Sequence, residues 1–471
     1  MTKFLTTRIP VLLVLLVLCG CQTVPVQTLH VLEDEGELFV YLQPASQEAD
    51  RLRFSLAGLA ALREDGAQFP LSLALSKFIG ADMTRQRLIA TGRLPAGRYV
   101  GFLVTIKGAS VKAERGEITL IVPETPQKRD FLFKVEKKRA LAVTLALKYA
   151  ESLPNEFTFD PQFLIASPSP PLAAVLGYVA NAGRNTITVF DKIHLQVVGV
   201  IATTGEAPRG IALDQRQKRA YVVLSGDDTI EVLDLNDLSV IARIMLLRGD
   251  DPQEAALTPD GQTLLVADAG SDTVSIIDTR SLVETDRVRV GRSPCSVLID
   301  RSGRKAYVVN SLSDTISVID ISYRQVIGTI VTGPEPVRAQ FNSAETRLYV
   351  IHAGFPYLFA IDPASFSVVK RVFLGAGANF LKVDARTDLV YIAKRNDAVV
   401  TVYDPFSFSP VDSIPTGGAA GHMAIDNETN NLYLLVPGRK VLMVVNLVTR
   451  KPVAEIDVNE RPAWVTVMGE Q

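Results

Sequence analysis

The segment YVVNSLSDTISVID at 307–320 constrains this chain more than any other feature, because near copies of it open at Tyr178, Tyr221, Leu265, Tyr349, Tyr391 and Tyr433. Successive starts lie 43, 44, 42, 42, 42 and 42 residues apart. Self-similarity at this period, in segments rich in β-branched and aromatic residues, marks a ring of four-stranded sheets with one sheet per repeat. The expected fold is therefore all-β, a propeller of seven blades. Inside one repeat, Thr315-Ile316-Ser317-Val318-Ile319-Asp320 alternates polar and apolar residues before an Asp ends the run, which reads as a half-buried strand and its turn. A Ser/Gly/Asp-rich link joins it to the Tyr strand as a hairpin.

A second marker runs with the first. Pro208, Pro252, Pro294, Pro336, Ala378, Ala420 and Pro462 each open a further strand. The first of these follows the first Tyr strand, and the last has no Tyr strand after it. The chain thus enters the ring one strand short and ends with one to spare, RPAWVTVM at 461–468. Pairing that strand beside 178–181 would complete the first blade and remove an open sheet edge.

The motifs resemble the YVTN family of β-propeller repeats, named for the Tyr-Val-Thr-Asn that opens the second strand of each blade. Tyr178-Val179-Ala180-Asn181 and Tyr307-Val308-Val309-Asn310 are the nearest copies, and Leu265, Lys394 and Val436 depart from the motif. The resemblance covers residues 172–469 and extends to extracytoplasmic YncE-like proteins and, more remotely, to the haem d1 propeller of nitrite reductases.

Ahead of the ring, about 145 residues carry no copy of the repeat and end at the linker SPSPP, 167–171. Strand-like runs at 37–42, 98–106, 131–135 and 140–148, with turn signals such as Leu94-Pro95-Ala96-Gly97, predict a separate β-sandwich domain over 21–166. LPAGRYVGFLVTIKGASV and RLRFSLAGLAALREDG are similar to a domain of unknown function common in bacterial lipoproteins, which suits a spacer or docking unit. At the start of the chain, Lys3 and Arg8 precede the apolar run VLLVLLVL at 11–18, the layout of an export signal. Leu18-Cys19-Gly20-Cys21 resembles the lipobox of bacterial lipoproteins. That resemblance implies removal of residues 1–20, acylation of Cys21 with palmitate-type chains, and a place on the cell envelope facing the periplasm or the cell surface. Gln22 is compatible with sorting to the outer membrane.

Net charge is −2, so no positive excess advertises a polyanion, and nucleic acid is disfavoured as a partner. Of three cysteines, Cys19 and Cys21 fall in the signal, leaving Cys295 without an intramolecular partner. There is no Cys-x-x-Cys-His, so covalent c-type haem is excluded, and no cofactor is implied.

Antiparallel strands place the turn entering each innermost strand and the turn after each Tyr strand on one face of the ring. The candidate ligand rim is therefore Arg209, Glu254, Arg338, His422 and Trp464 from the first set and Asp268, His352 and Lys394 from the second. Cys295, Asn379, Asn181 and Asn310 occupy equivalent places. The aspartates that close the third strands, Asp191, Asp234, Asp278, Asp320, Asp362 and Asp404, recur too regularly for a special site and read as Asx-turn braces rather than metal ligands. His352 and His422 lack a third ligand at suggestive spacing, so no metal site is expected. Trp464 reads as packing near the closure, and Cys295 as a partly buried structural thiol. Three functions follow: a membrane-tethered binding or scaffold module taking a protein or small-molecule ligand on the ring face; an enzyme of the propeller-lactonase or haem d1 kind; and a binder of single-stranded nucleic acid by YncE-like analogy. With four histidines in the chain and no catalytic motif, the first is preferred.

Overall fold

In the computed structural model, the described residues are 30–114, 116–155 and 157–470. The basic start, the apolar run and Cys21 lie outside them.

Seven of the sheets among the described residues are four-stranded antiparallel blades. The fourth is typical, running outward through Pro294–Ile299, Lys305–Asn310, Thr315–Asp320 and Gln325–Val331. Its middle strands are buried on both faces between neighbouring blades, which is why Ile316, Val318 and Ile319 are all sealed. The outermost strand keeps only Ile330 buried.

In the first four blades the Asn/Asp-Thr step inside the hairpin has a second role that fixes where the next inner strand begins. Asn185, Asp228, Asp272 and Asp314 take φ of 55°, 53°, 59° and 59°, the left-handed conformation that short polar side chains tolerate. Their side-chain oxygens accept from the backbone N–H groups of Ala207, Asp251, Ser293 and Glu335 at 2.9, 2.8, 2.8 and 3.0 Å. Each acceptor thereby ties its hairpin to the residue immediately before the next innermost strand. The repeat thus sets the position of the axial side chains as well as the blade.

In the first blade the order is Gln196–Ala202, Thr186–Asp191, Leu176–Asn181 and then Pro462–Val467, the last strand among the described residues. Val179 faces Val465 and Ala180 faces Trp464 across this pairing. Lys192, 2% exposed, donates from Nζ to the Met468 carbonyl at 2.6 Å and pairs with buried Asp426 at 2.9 Å, holding first blade, last blade and chain end together.

Before the ring, a five-stranded sheet containing Arg87–Pro95, Glu35–Leu42 and Ala140–Leu147 faces a six-stranded one built on Leu52–Arg63 and Gly97–Ala113. Alternation along Leu38-Phe39-Val40-Tyr41-Leu42 divides the work. Leu38, Val40 and Leu42 enter the core between the two sheets, with Phe54, Phe102 and Phe159. Phe39 and Tyr41 turn the other way and pack with Ala142 and Leu88 on Val197, Val200, Ile456 and Val458 of the first and last blades. Polar groups lock this contact. The Gln86 side chain donates to the Val197 carbonyl and accepts from its N–H at 3.2 and 2.7 Å, and Arg85 and Arg87 grip Asp457 at 2.6 and 3.0 Å.

Candidate ligand site at the axial mouth

The innermost strands contact one another in succession around the axis, with Pro462–Val467 between Met423–Asp426 and Pro208–Asp214. Where these strands begin, a cavity of about 360 Å³ opens on the axis. Arg209, Glu254, Arg338, His422 and Trp464 line it, joined by Cys295 and Asn379. The inner-strand half of the expected rim therefore converges on one place.

The other half does not. Asp268, His352 and Lys394 end strands one place further from the axis, roughly 4.8 Å out, and the inner strand stands between them and the opening. Their side chains serve their own blades. Asn181 Nδ2 donates to Thr188 Oγ1 at 3.0 Å, and Asn310 Nδ2 to Ser317 Oγ at 3.0 Å. At the matching position Asp268 Oδ2 accepts from Ser275 Oγ and N at 2.7 and 3.1 Å. His352 donates from Nδ1 to the Tyr357 carbonyl at 2.9 Å and accepts at Nε2 from Gly333 N–H at 3.1 Å. Lys394 pairs with Asp397 at 3.5 Å. The signal for this pinning role was present in the sequence: the polar residue ending the Tyr strand is followed five and seven places on by Ser or Thr, as in Asn181, Thr186 and Thr188.

Charge and rings are arranged compactly at the mouth. Arg338 Nη1 meets Glu254 Oε2 at 2.8 Å, a bond that spans from the fifth blade to the third. The same guanidinium lies 4.6 Å from the Phe380 ring centroid and 5.0 Å from that of Trp464. The His422 ring sits against both, with centroids 4.3 Å from Phe380 and 3.7 Å from Trp464 and the planes tilted by 52° and 36°. Burial, with Arg338 and Lys382 nearby, holds the His422 imidazole well below the usual histidine range, so it is neutral. Burial raises the Glu254 carboxyl, and Arg338 opposes that rise. Cys295 Sγ lies 3.6 Å from the Val337 carbonyl, and burial pushes its thiol up to about 12, far from the range of a thiolate nucleophile.

At the opposite end of the inner strands a cavity of about 710 Å³ has an apolar lining that includes Leu257, Leu298, Ile299, Phe341 and Val383. Toward this end Lys382, next to Val383, pairs at 2.5 Å with Glu470, which follows the last inner strand. The mouth is thus the end of the axis where buried charge, aromatic faces and unsatisfied polar atoms coincide.

Neither a known family nor a curated protein matches the chain. Among solved structures it is similar to Kuenenia stuttgartiensis hydrazine synthase, at 20% identity over 56% of this chain and 90% of that one, with a TM-score of 0.52. A dihydro-haem d1 dehydrogenase, NirN, is 14% identical over 64% of this chain and 78% of its own, with a TM-score of 0.52. A functionally unknown protein from Desulfotomaculum acetoxidans is 14% identical over 63% and 99%, with a TM-score of 0.55. At these identities the likeness bears on the propeller fold alone.

Proposed function

We propose that this chain is a ligand-binding module of the bacterial cell envelope, tethered through an acylated Cys21 and taking its ligand at the axial mouth of a YVTN-type propeller. The basic start, the VLLVLLVL run and the lipobox-like Leu18-Cys19-Gly20-Cys21 support the tether. The observation that carries the binding reading is the convergence of Arg338, Glu254, His422 and Trp464 from four different blades on one cavity of about 360 Å³, a size suited to a small ligand. A polypeptide that needed only a stable ring would fill its axis with apolar side chains, since a buried ion pair contributes little net stability over a hydrophobic replacement. A thiol raised to about 12 favours recognition over thiolate chemistry at this mouth.

Trp464 is the sole tryptophan of the chain and forms part of the cavity wall, so its fluorescence reports on the site. Titration with the low-molecular-mass fraction of the envelope is expected to change that fluorescence saturably. The double variant Glu254→Gln/Arg338→Gln removes both charges together, so neither is left unpaired. It should melt within a few degrees of the parent while losing the response. A response that persists undiminished in this variant contradicts the assignment.

A further inference from the structure

We infer that the ligand of the axial mouth is a small planar carboxylate bearing one hydrogen-bond donor, of the hydroxybenzoate class. The inference rests on the binding reading above and adds the chemistry of the ligand.

Three polar atoms at this mouth are sealed from solvent without a hydrogen-bond partner among the described residues: His422 Nε2, Trp464 Nε1 and Asn379 Oδ1. They belong to side chains from three successive inner strands lining one cavity, and His422 is 8% exposed. Buried groups left unpaired are uncommon in folded proteins and ask for an explanation at each site. Their donor or acceptor character can be assigned. Val465 N–H donates to His422 Nδ1 at 3.4 Å, so the neutral ring carries its proton on Nε2 and that atom is a donor. Trp464 Nε1 can only donate. Asn379 Nδ2 donates to the Ala420 carbonyl at 2.9 Å, which leaves Oδ1 as an acceptor. The unmet set is two donors and one acceptor, complementary to a group with two acceptor oxygens and a ligand hydroxyl.

Charge selects the anion. Glu254 is occupied by Arg338, whereas among the described residues Arg209 at the rim meets the neutral Gln253 side chain. Two cations, Arg209 and Arg338, therefore stand against one carboxylate, Glu254, in the lining of the cavity. A carboxylate gains a charge-assisted bond that a neutral amide of the same shape does not. The Phe380, His422 and Trp464 rings crowd together, tilted by 52° and 36° to one another, and give the cavity an aromatic side against which a ring-bearing ligand packs as it displaces them slightly.

The test is a titration of Trp464 fluorescence in the full-length protein with 4-hydroxybenzoate, 4-hydroxybenzamide and benzoate, repeated by calorimetry. Saturable binding of 4-hydroxybenzoate is expected, with the amide and the donor-free acid each at least about tenfold weaker. Arg209→Gln and His422→Phe should each weaken 4-hydroxybenzoate by about tenfold with an unchanged melting temperature. Equal or tighter binding of the amide overturns the argument from charge, and equal binding of benzoate overturns the argument from the donor. If no probe binds at millimolar concentration while the envelope fraction still does, the ligand class is wrong and the binding reading stands. If neither binds, both fall.

Discussion

A chain ending at residue 460 is expected to lose its cooperative fold, with a melting temperature lower by about 20 °C or more. The deletion removes the innermost strand of the first blade and leaves the edge of Leu176–Asn181 open to the axis. Val465 and Val467 are fully buried and Met468 nearly so. At about 1.5–3 kcal/mol for each side chain, plus about 1 kcal/mol for each ladder hydrogen bond, the loss approaches about 10 kcal/mol. Typical domains have roughly 5–15 kcal/mol to lose. Lys192 would also forfeit its bond to the Met468 carbonyl while remaining buried beside Asp426. Circular dichroism during heating checks this, since the deletion also removes the tryptophan. A melting curve within about 3 °C of the parent would show that the last strand does not close the ring.

The second large effect has the opposite sign. Asp268→Asn is expected to stabilise the protein by about 2–4 kcal/mol at pH 8 and by almost nothing at pH 4. Asp268 is fully buried, its Oδ1 has no partner among the described residues, and burial pushes its carboxyl up to about 7 against the opposing hydrogen bond from Ser275. Its ordinary value is 3.8. Between those values the folded state holds a proton that the unfolded state releases, so stability falls as pH rises from about 4 to 7 and levels off above. Asparagine suits the place because Asn181 and Asn310 occupy it in the first and fourth blades, bonded to hydroxyls as Asp268 is. Glu231 and Glu254, also raised by burial, are common to both proteins and cancel in the difference. Urea denaturation at pH 4, 6 and 8 measures it. A difference that does not grow with pH would mean that Asp268 ionises freely in the fold.

The closing strand and Asp268 also mark what the sequence could and could not convey. The all-β propeller was legible because every blade solves the same packing problem with the same strand, so Ile187, Ile230, Val274 and Ile316 recur in register and are all sealed. The turn aspartates were legible for a similar reason: Asp191, Asp278, Asp362 and Asp404 accept from backbone N–H groups two residues on. The candidate mouth was half legible. Loop direction places inner-strand starts and Tyr-strand ends on one face, but it says nothing of radius. Distance from the axis separates Glu254 at the cavity from Asp268 behind it. The pairing of Arg338 with Glu254 was hidden as well, because residues 84 apart in the chain come together only when closure of the ring brings the inner strands of blades three and five, on either side of blade four, to one mouth. So was the link from Asp228 or Asp272 to the next inner strand, since a turn residue in the left-handed conformation looks the same whether or not its carboxylate reaches beyond the hairpin.

The most direct test of the central claim is amide hydrogen exchange of the full-length protein with and without the low-molecular-mass envelope fraction. Protection is expected at the starts of the inner strands, around Glu254, Arg338, Phe380, His422 and Trp464, with the outer strands and residues 30–166 unchanged. Protection confined to the outer strands or to the unit before the ring, with the axial segments exchanging as before, would contradict it.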